Sequence, residues 1–166
     1  MGFDSLDELL DYTEKIKGKS INDIVNEESI FQGRKTLNER KGFLGDLIET
    51  EFYHYPNNSV PKADFEELGI ELKTSGLKIN KNGSISAKER LVLSMINYQE
   101  IVNETFETSH LLEKNENILI LWYIYKNNQS MRDFKFVEYL LYTLHRDEDI
   151  IKNDYETIQN KVKKGL

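Results

Sequence analysis

The residues best suited to chemistry lie in one short stretch, Asp64-Phe-Glu-Glu-Leu-Gly-Ile-Glu71-Leu-Lys73. In a strand, alternate side chains share a face. Glu71 and Lys73 then point the same way, about 7 Å apart along the chain. Ile70 and Leu72 turn to the other face and anchor the strand. Gly69 lets the chain bend just before it, so Asp64 can fold back beside Glu71. Two carboxylates held this way make a hard oxygen site, the kind Mg²⁺ completes with waters and phosphate oxygens. Without a cation the cluster repels itself, by on the order of 4 kcal/mol for two charges 4 Å apart at an effective dielectric of about 20. A divalent ion and the Lys73 ammonium relieve that repulsion. Phosphodiester hydrolysis uses the same parts: a metal to polarise phosphate and acidify water, and a lysine to orient that water and stabilise charge.

Spacing alone leaves a second reading open. A Glu-x-Lys strand also arises as a solvated cross-strand pair, and Asp133-Phe-Lys135 imitates it without an upstream Asp on a turn. Glu49, on a predicted helix, either points into the same cavity or sits on a solvated face.

The elements that must position these groups follow from periodicity. Leu6, Leu9, Leu10, Thr13 and Ile16 recur at helical spacing behind the capping residues Asp4 and Ser5, with Gly18 as a stop. A second helix starts near Gly42 and carries Leu44, Leu47, Ile48 and Phe52 on one face; Pro56-Asn57-Asn58 ends it. An extended segment covers 68–74, with a hairpin turn at Asn82-Gly83 soon after. Lys88 to Glu104 reads as a helix with Leu91, Met95, Tyr98 and Val102 as its stripe. Ile118 to Tyr125 is a buried strand and Phe134 to Leu141 another. Asp147 opens a last helix carrying Ile151, Tyr155, Ile158 and Val162. Alternating helices and strands predict an α/β domain with a mixed central sheet flanked by helices.

The bulk numbers agree with one domain: 166 residues, 39% hydrophobic, 11% aromatic, with 9 Gly and 2 Pro and no low-complexity stretch. The absence of cysteine excludes disulfides and thiolate metal sites. No apolar stretch reaches membrane-spanning length and no signal-peptide layout opens the chain, which fits a cytoplasmic protein without a membrane partner. The net charge of −7 opposes nucleic-acid binding on average, but distribution matters more. Acids crowd the two ends, while Arg34, Lys35, Arg40, Lys41, Lys73, Lys78, Lys81, Lys88 and Arg90 lie between them; the bland reading is ordinary solvated faces.

Longer strings sharpen the reading. Lys41-Gly-Phe-Leu-Gly-Asp-Leu-Ile-Glu49, Asp64 to Thr74, and Phe106-Glu-Thr-Ser-His-Leu-Leu-Glu-Lys114 resemble, in this order, the MutH family of DNA endonucleases. That family joins the mismatch-repair nicking enzyme to GATC-cutting type II restriction enzymes. Lys88-Glu-Arg-Leu-Val-Leu-Ser-Met-Ile-Asn-Tyr98 resembles the restriction branch, represented by a staphylococcal enzyme. The resemblance implies the restriction-endonuclease-like PD-(D/E)xK fold and Mg²⁺-dependent hydrolysis of double-stranded DNA at GATC. On that pattern Asp64, Glu71 and the Leu72 carbonyl bind the metal. Lys73 is the catalytic lysine, Glu49 the helix-borne acid, and Lys114 a further lysine at the site and near the DNA backbone. Lys41 and Gly42 approach DNA, and His110 has a counterpart in the family. The resemblance also implies one catalytic domain over residues 1–166, lacking a C-terminal DNA-recognition part, with a further C-terminal domain and a cognate methyltransferase as partners. Few unassigned arginines remain for base reading: Arg34, Arg40, Arg90, Arg132 and Arg146. A non-catalytic DNA-binding module of the same fold and a mismatch-repair nicking enzyme stand as alternatives.

Overall fold

A computed structural model describes residues 2–25, 42–56 and 62–165. The order of elements is α1 (Leu6–Thr13), α2 (Ile21–Ile24), α3 (Phe43–Leu47), β1 (Ile70–Ile79), β2 (Ile85–Ala87), α4 (Tyr98–Ile101), α5 (His110–Asn115), β3 (Asn117–Ile124), β4 (Phe136–Thr143) and α6 (Glu148–Lys163). The strands form one mixed sheet in the order β2-β1-β3-β4. β1 runs parallel to β3, and the other two pairings are antiparallel. This is the α/β mixed sheet with flanking helices that the sequence predicts.

β3 is the spine because it is apolar on both faces: Ile118, Leu119, Ile120 and Leu121 are all buried. Leu119 and Leu121 face the larger core with Ile70, Leu72, Phe43, Leu47 and Ile48; Ile118 and Ile120 face Leu144 and, in α6, Ile151. The register pairs Glu71 with Ile118 and Lys73 with Ile120. The two charged residues of β1 therefore share the face opposite the larger core.

α1 begins where Ser5 Oγ accepts the Glu8 amide, and it buries Leu9 and Thr13. The chain reverses between β1 and β2 at Asn82-Gly83, where Gly83 has φ of 81° and Asn80 receives the Gly83 amide. α6 keeps Ile151, Tyr155 and Val162 inward, but Ile158 is exposed and Gln159 is buried in its place.

The predicted helix over Lys88–Glu104 does not form. Residues 90–97 are irregular and only Tyr98–Ile101 is helical. Leu91 and Leu93 pack on the Ile118 side of the sheet while Val92 faces out. That alternation belongs to extended chain. Met95, which helical spacing places on the apolar stripe, is 91% exposed. Lys41 and the basic residues Arg34, Lys35 and Arg40 lie outside the described residues.

Candidate active site

The site is built on the start of β1. A turn, Glu66–Leu68, precedes the strand and closes at Gly69, whose φ of 64° suits a residue without a side chain. Phe65 and Ile70 bond each other across the turn, the Phe65 amide to the Ile70 carbonyl at 2.9 Å and the reverse at 3.2 Å. Asp64 is thereby folded back on the strand, where its Oδ2 accepts the Leu72 amide at 2.8 Å. In a strand the N–H and C=O of one residue point the same way, so the Leu72 carbonyl emerges on the edge occupied by Asp64.

Glu71 is only 3% exposed. Its Oε1 receives Lys73 Nζ at 2.8 Å and stands 3.5 Å from Lys114 Nζ. Its Oε2 is buried without a hydrogen-bond partner. A buried carboxylate oxygen left bare is costly, and here it lies in a cluster of hard oxygen donors, as a divalent-cation site requires. Lys114 comes from α5, which packs beside β1.

Glu49 enters from a wide, π-type turn, Ile48–Phe52, that continues α3. Gly45, one turn earlier, brings the helix against β1: a side chain there would meet Thr74 Oγ1 at 3.9 Å. Gly42 starts α3 in the left-handed region with φ of 94°. Burial pushes the Glu49 carboxyl up to about 7, reinforced by the negative charges of Asp64, Asp46 and Glu71 and opposed by Lys114. Burial and then Glu71 raise Asp64 to about 6, against the Leu72 amide and the two lysines. Both carboxyls are thus raised mainly by burial, with the neighbouring carboxylates adding to it.

Asp64, Glu71, Lys73 and Lys114 therefore gather at the start of β1, and Glu49, from a third segment, is close enough to feel the charges of Asp64, Glu71 and Lys114. Among the described residues, no three acidic or histidine side chains converge closely enough to hold an ion by themselves. A cation here would need main-chain and solvent oxygens beside the carboxylates, which is the habit of Mg²⁺. Asp133-Phe-Lys135 builds nothing similar: Asp133 bonds Asn22, and Lys135 reaches the Gly18 carbonyl and Asp23.

His110 opens α5, four residues before Lys114, and its Nδ1 lies 3.0 Å from Glu104 Oε2. Glu104 also accepts the Tyr155 hydroxyl at 2.6 Å, and Gln159 donates to the Ile101 and Glu104 carbonyls. This link from α6 to the start of α5 was missed at the sequence level. The partners lie more than 50 residues apart, and no local signal joins them.

An Asp on a turn, a Glu-x-Lys strand and flanking helices on a mixed sheet define the restriction-endonuclease-like class. The chain belongs to the MutH family, whose model, described as DNA mismatch repair enzyme MutH, matches residues 53–154. It is 38% identical over 136 residues to the type II restriction enzyme Sau3AI of Staphylococcus aureus, covering 80% of this chain and 28% of that enzyme. It is 28% identical over 163 residues to the DNA mismatch repair protein MutH of Vibrio campbellii, covering 95% of this chain and 68% of that protein. Against MutH of Actinobacillus pleuropneumoniae serotype 5b it is 33% identical over 115 residues, covering 69% and 48%. The chain thus spans well under a third of the restriction enzyme's length.

Proposed function

We propose that this chain is the catalytic unit of a Mg²⁺-dependent endonuclease that hydrolyses phosphodiesters of double-stranded DNA, with GATC as its target and a restriction system, with a cognate methyltransferase, as its setting. The observation that carries the proposal is the bare, buried Glu71 Oε2 beside Asp64 and two lysines. Asp64, Glu71 and the Leu72 carbonyl would hold Mg²⁺, which supplies positive charge against the scissile phosphate and lowers the pKa of a bound water.

The chain's own residues do the rest. Lys73, held by Glu71, orients the attacking water and offsets negative charge growing on phosphorus. Lys114, 3.5 Å from Glu71, adds a second cation where the DNA backbone arrives. Glu49, whose carboxyl burial raises in the metal-free site, is suited to exchange a proton with that water. Gly42 would approach the duplex at the start of α3, and Lys41 is proposed as a second DNA-approaching residue. No helix among the described residues is long and apolar enough to cross a membrane, which fits action on DNA in the cytoplasm.

The test is unmethylated plasmid with Mg²⁺, with EDTA as control, comparing the unsubstituted chain with Asp64→Ala and Lys73→Ala. Cleavage by the unsubstituted chain alone supports the proposal. Equal cleavage by all three refutes it. Tight binding to DNA without cleavage or ion uptake would favour a non-catalytic DNA-binding module instead.

A further inference from the structure

We propose that Tyr55 and Glu67 form a clasp that sets the spacing of the Glu49 and Asp64 carboxylates, so that both are positioning residues for the ion site; the inference rests on the function proposed above. The two carboxylates are like charges on separate segments, and something must hold those segments together. Glu49 rides on Ile48–Phe52 and Asp64 on the turn before β1. The Tyr55 amide donates to the Glu49 carbonyl at 3.0 Å. To bring it there the chain reverses at His54, a side-chain-bearing residue with φ of 59°. The Tyr55 hydroxyl then donates to Glu67 Oε1, which also accepts the Phe3 amide at 3.1 Å. Glu67 lies in the turn that the Phe65–Ile70 bridge closes. A continuous path therefore runs from the Glu49 main chain through Tyr55 and Glu67 to Asp64.

Beneath this path the rings are fixed. Phe65 meets Tyr53 at 5.0 Å and Tyr55 at 5.1 Å between centroids, both edge to face, and Phe3 stacks on Tyr55 at 6.1 Å. The rings hold the two segments in contact whether or not the hydroxyl and carboxylate bond. The polar bond adds direction, because a phenol donating to a carboxylate is charge-assisted and geometrically narrow. Deleting it should loosen the site more than the fold.

The test compares the whole chain with Tyr55→Phe, Glu67→Ala and the double variant. In metal-free protein, amide hydrogen exchange of Leu72, the donor to Asp64, should quicken about 10-fold, while the Leu119 and Leu121 amides stay unchanged. The double variant should match Glu67→Ala alone, since the Tyr55 hydroxyl has no partner to lose once the Glu67 carboxylate is gone. In plasmid cleavage, the Mg²⁺ concentration for half-maximal rate should rise about 10-fold, the low end for losing an outer partner of a metal ligand, with the saturated rate nearly preserved. An unchanged Leu72 amide overturns the proposal. Equal quickening at Leu72, Leu119 and Leu121 overturns it too, by reducing the clasp to general stability, as does an unchanged Mg²⁺ requirement in a cleaving protein. If the unsubstituted chain neither cleaves nor takes up Mg²⁺, the functional reading fails while the exchange measurement still decides whether the clasp orients Asp64.

Discussion

The main-chain amide of Leu72 donates to Asp64 Oδ2 at 2.8 Å, so the strand that carries Glu71 and Lys73 also holds the acid that precedes it by a turn. The bond fixes where Asp64 points and engages only one of its two oxygens. It also separates two consequences of changing that residue. One is loss of a ligand; the other is loss of a hydrogen-bond acceptor that an amide can partly replace.

Asp64→Asn should therefore fold and yet fail to cleave. The Asn oxygen can still accept the Leu72 amide, and removing a charge that Glu71 and Glu49 oppose relieves repulsion in the metal-free protein. Metal-assisted charge stabilisation is worth several kcal/mol, so cleavage should fall at least about 100-fold. The metal-free melting temperature should equal or exceed that of the unsubstituted chain. Plasmid nicking and calorimetric melting check both halves. A melting temperature several degrees lower would show that Asp64 serves the fold first.

Lys73→Met should hurt both activity and stability. It leaves Glu71 buried, facing a methionine in place of the ammonium at 2.8 Å. Stranding one member of a fully buried pair costs about 3–5 kcal/mol. Here Lys114 remains at 3.5 Å and Lys73 is itself partly exposed, so the expected loss is about 2 kcal/mol. Cleavage should fall about 10²- to 10⁴-fold, the usual contribution of a positioned proton-transfer group. Urea unfolding and single-turnover cleavage measure the two effects separately.

Much of this architecture is legible in the residues themselves. Ile118–Leu121 is apolar at every position, which only a strand covered on both faces tolerates, and Asn82-Gly83 announces its hairpin through backbone conformation alone. The shared face of Glu71 and Lys73 follows from the period of a strand. The failures share a cause. Leu91, Met95, Tyr98 and Val102 fit a helical stripe, yet Leu91 and Leu93 are held inward by the far side of the sheet, a demand invisible in a local window. The Glu104–Tyr155 and Tyr55–Glu67 bonds join residues through the folded chain, and no composition or spacing rule encodes them.

Gln159→Leu tests the link between α6 and α5. The buried Gln159 amide donates to the Ile101 and Glu104 carbonyls, at 2.5 and 2.7 Å. Leucine is of similar size but leaves both carbonyls without their donor. An unsatisfied buried polar group costs about 1–3 kcal/mol, and the substitution should destabilise by that amount in urea unfolding. The ion site itself is untouched, so cleavage per folded molecule and the Mg²⁺ requirement should not change. A changed Mg²⁺ requirement would mean that α6 reaches the site through α5.

The raised carboxyls predict how stability of the metal-free protein varies with pH. Folding lifts Asp64 from its ordinary 3.8 to about 6 and Glu49 from 4.5 to about 7, in each case mainly through burial. The folded state thus binds protons more tightly than the unfolded chain, and stability falls wherever the unfolded chain has lost protons that the folded state keeps. These two groups favour folding fully below about pH 4, and their contribution drains away between there and about pH 7. A divalent cation that binds the ionised cluster should reverse the trend, because it stabilises the form that repulsion disfavours. Thermal melting from pH 4.5 to 7.5 should therefore show a decline with EDTA that Ca²⁺ or Mg²⁺ flattens. Glu49→Gln should remove part of the decline. Curves with and without the cation that run parallel across this window would mean that no ion binds the cluster.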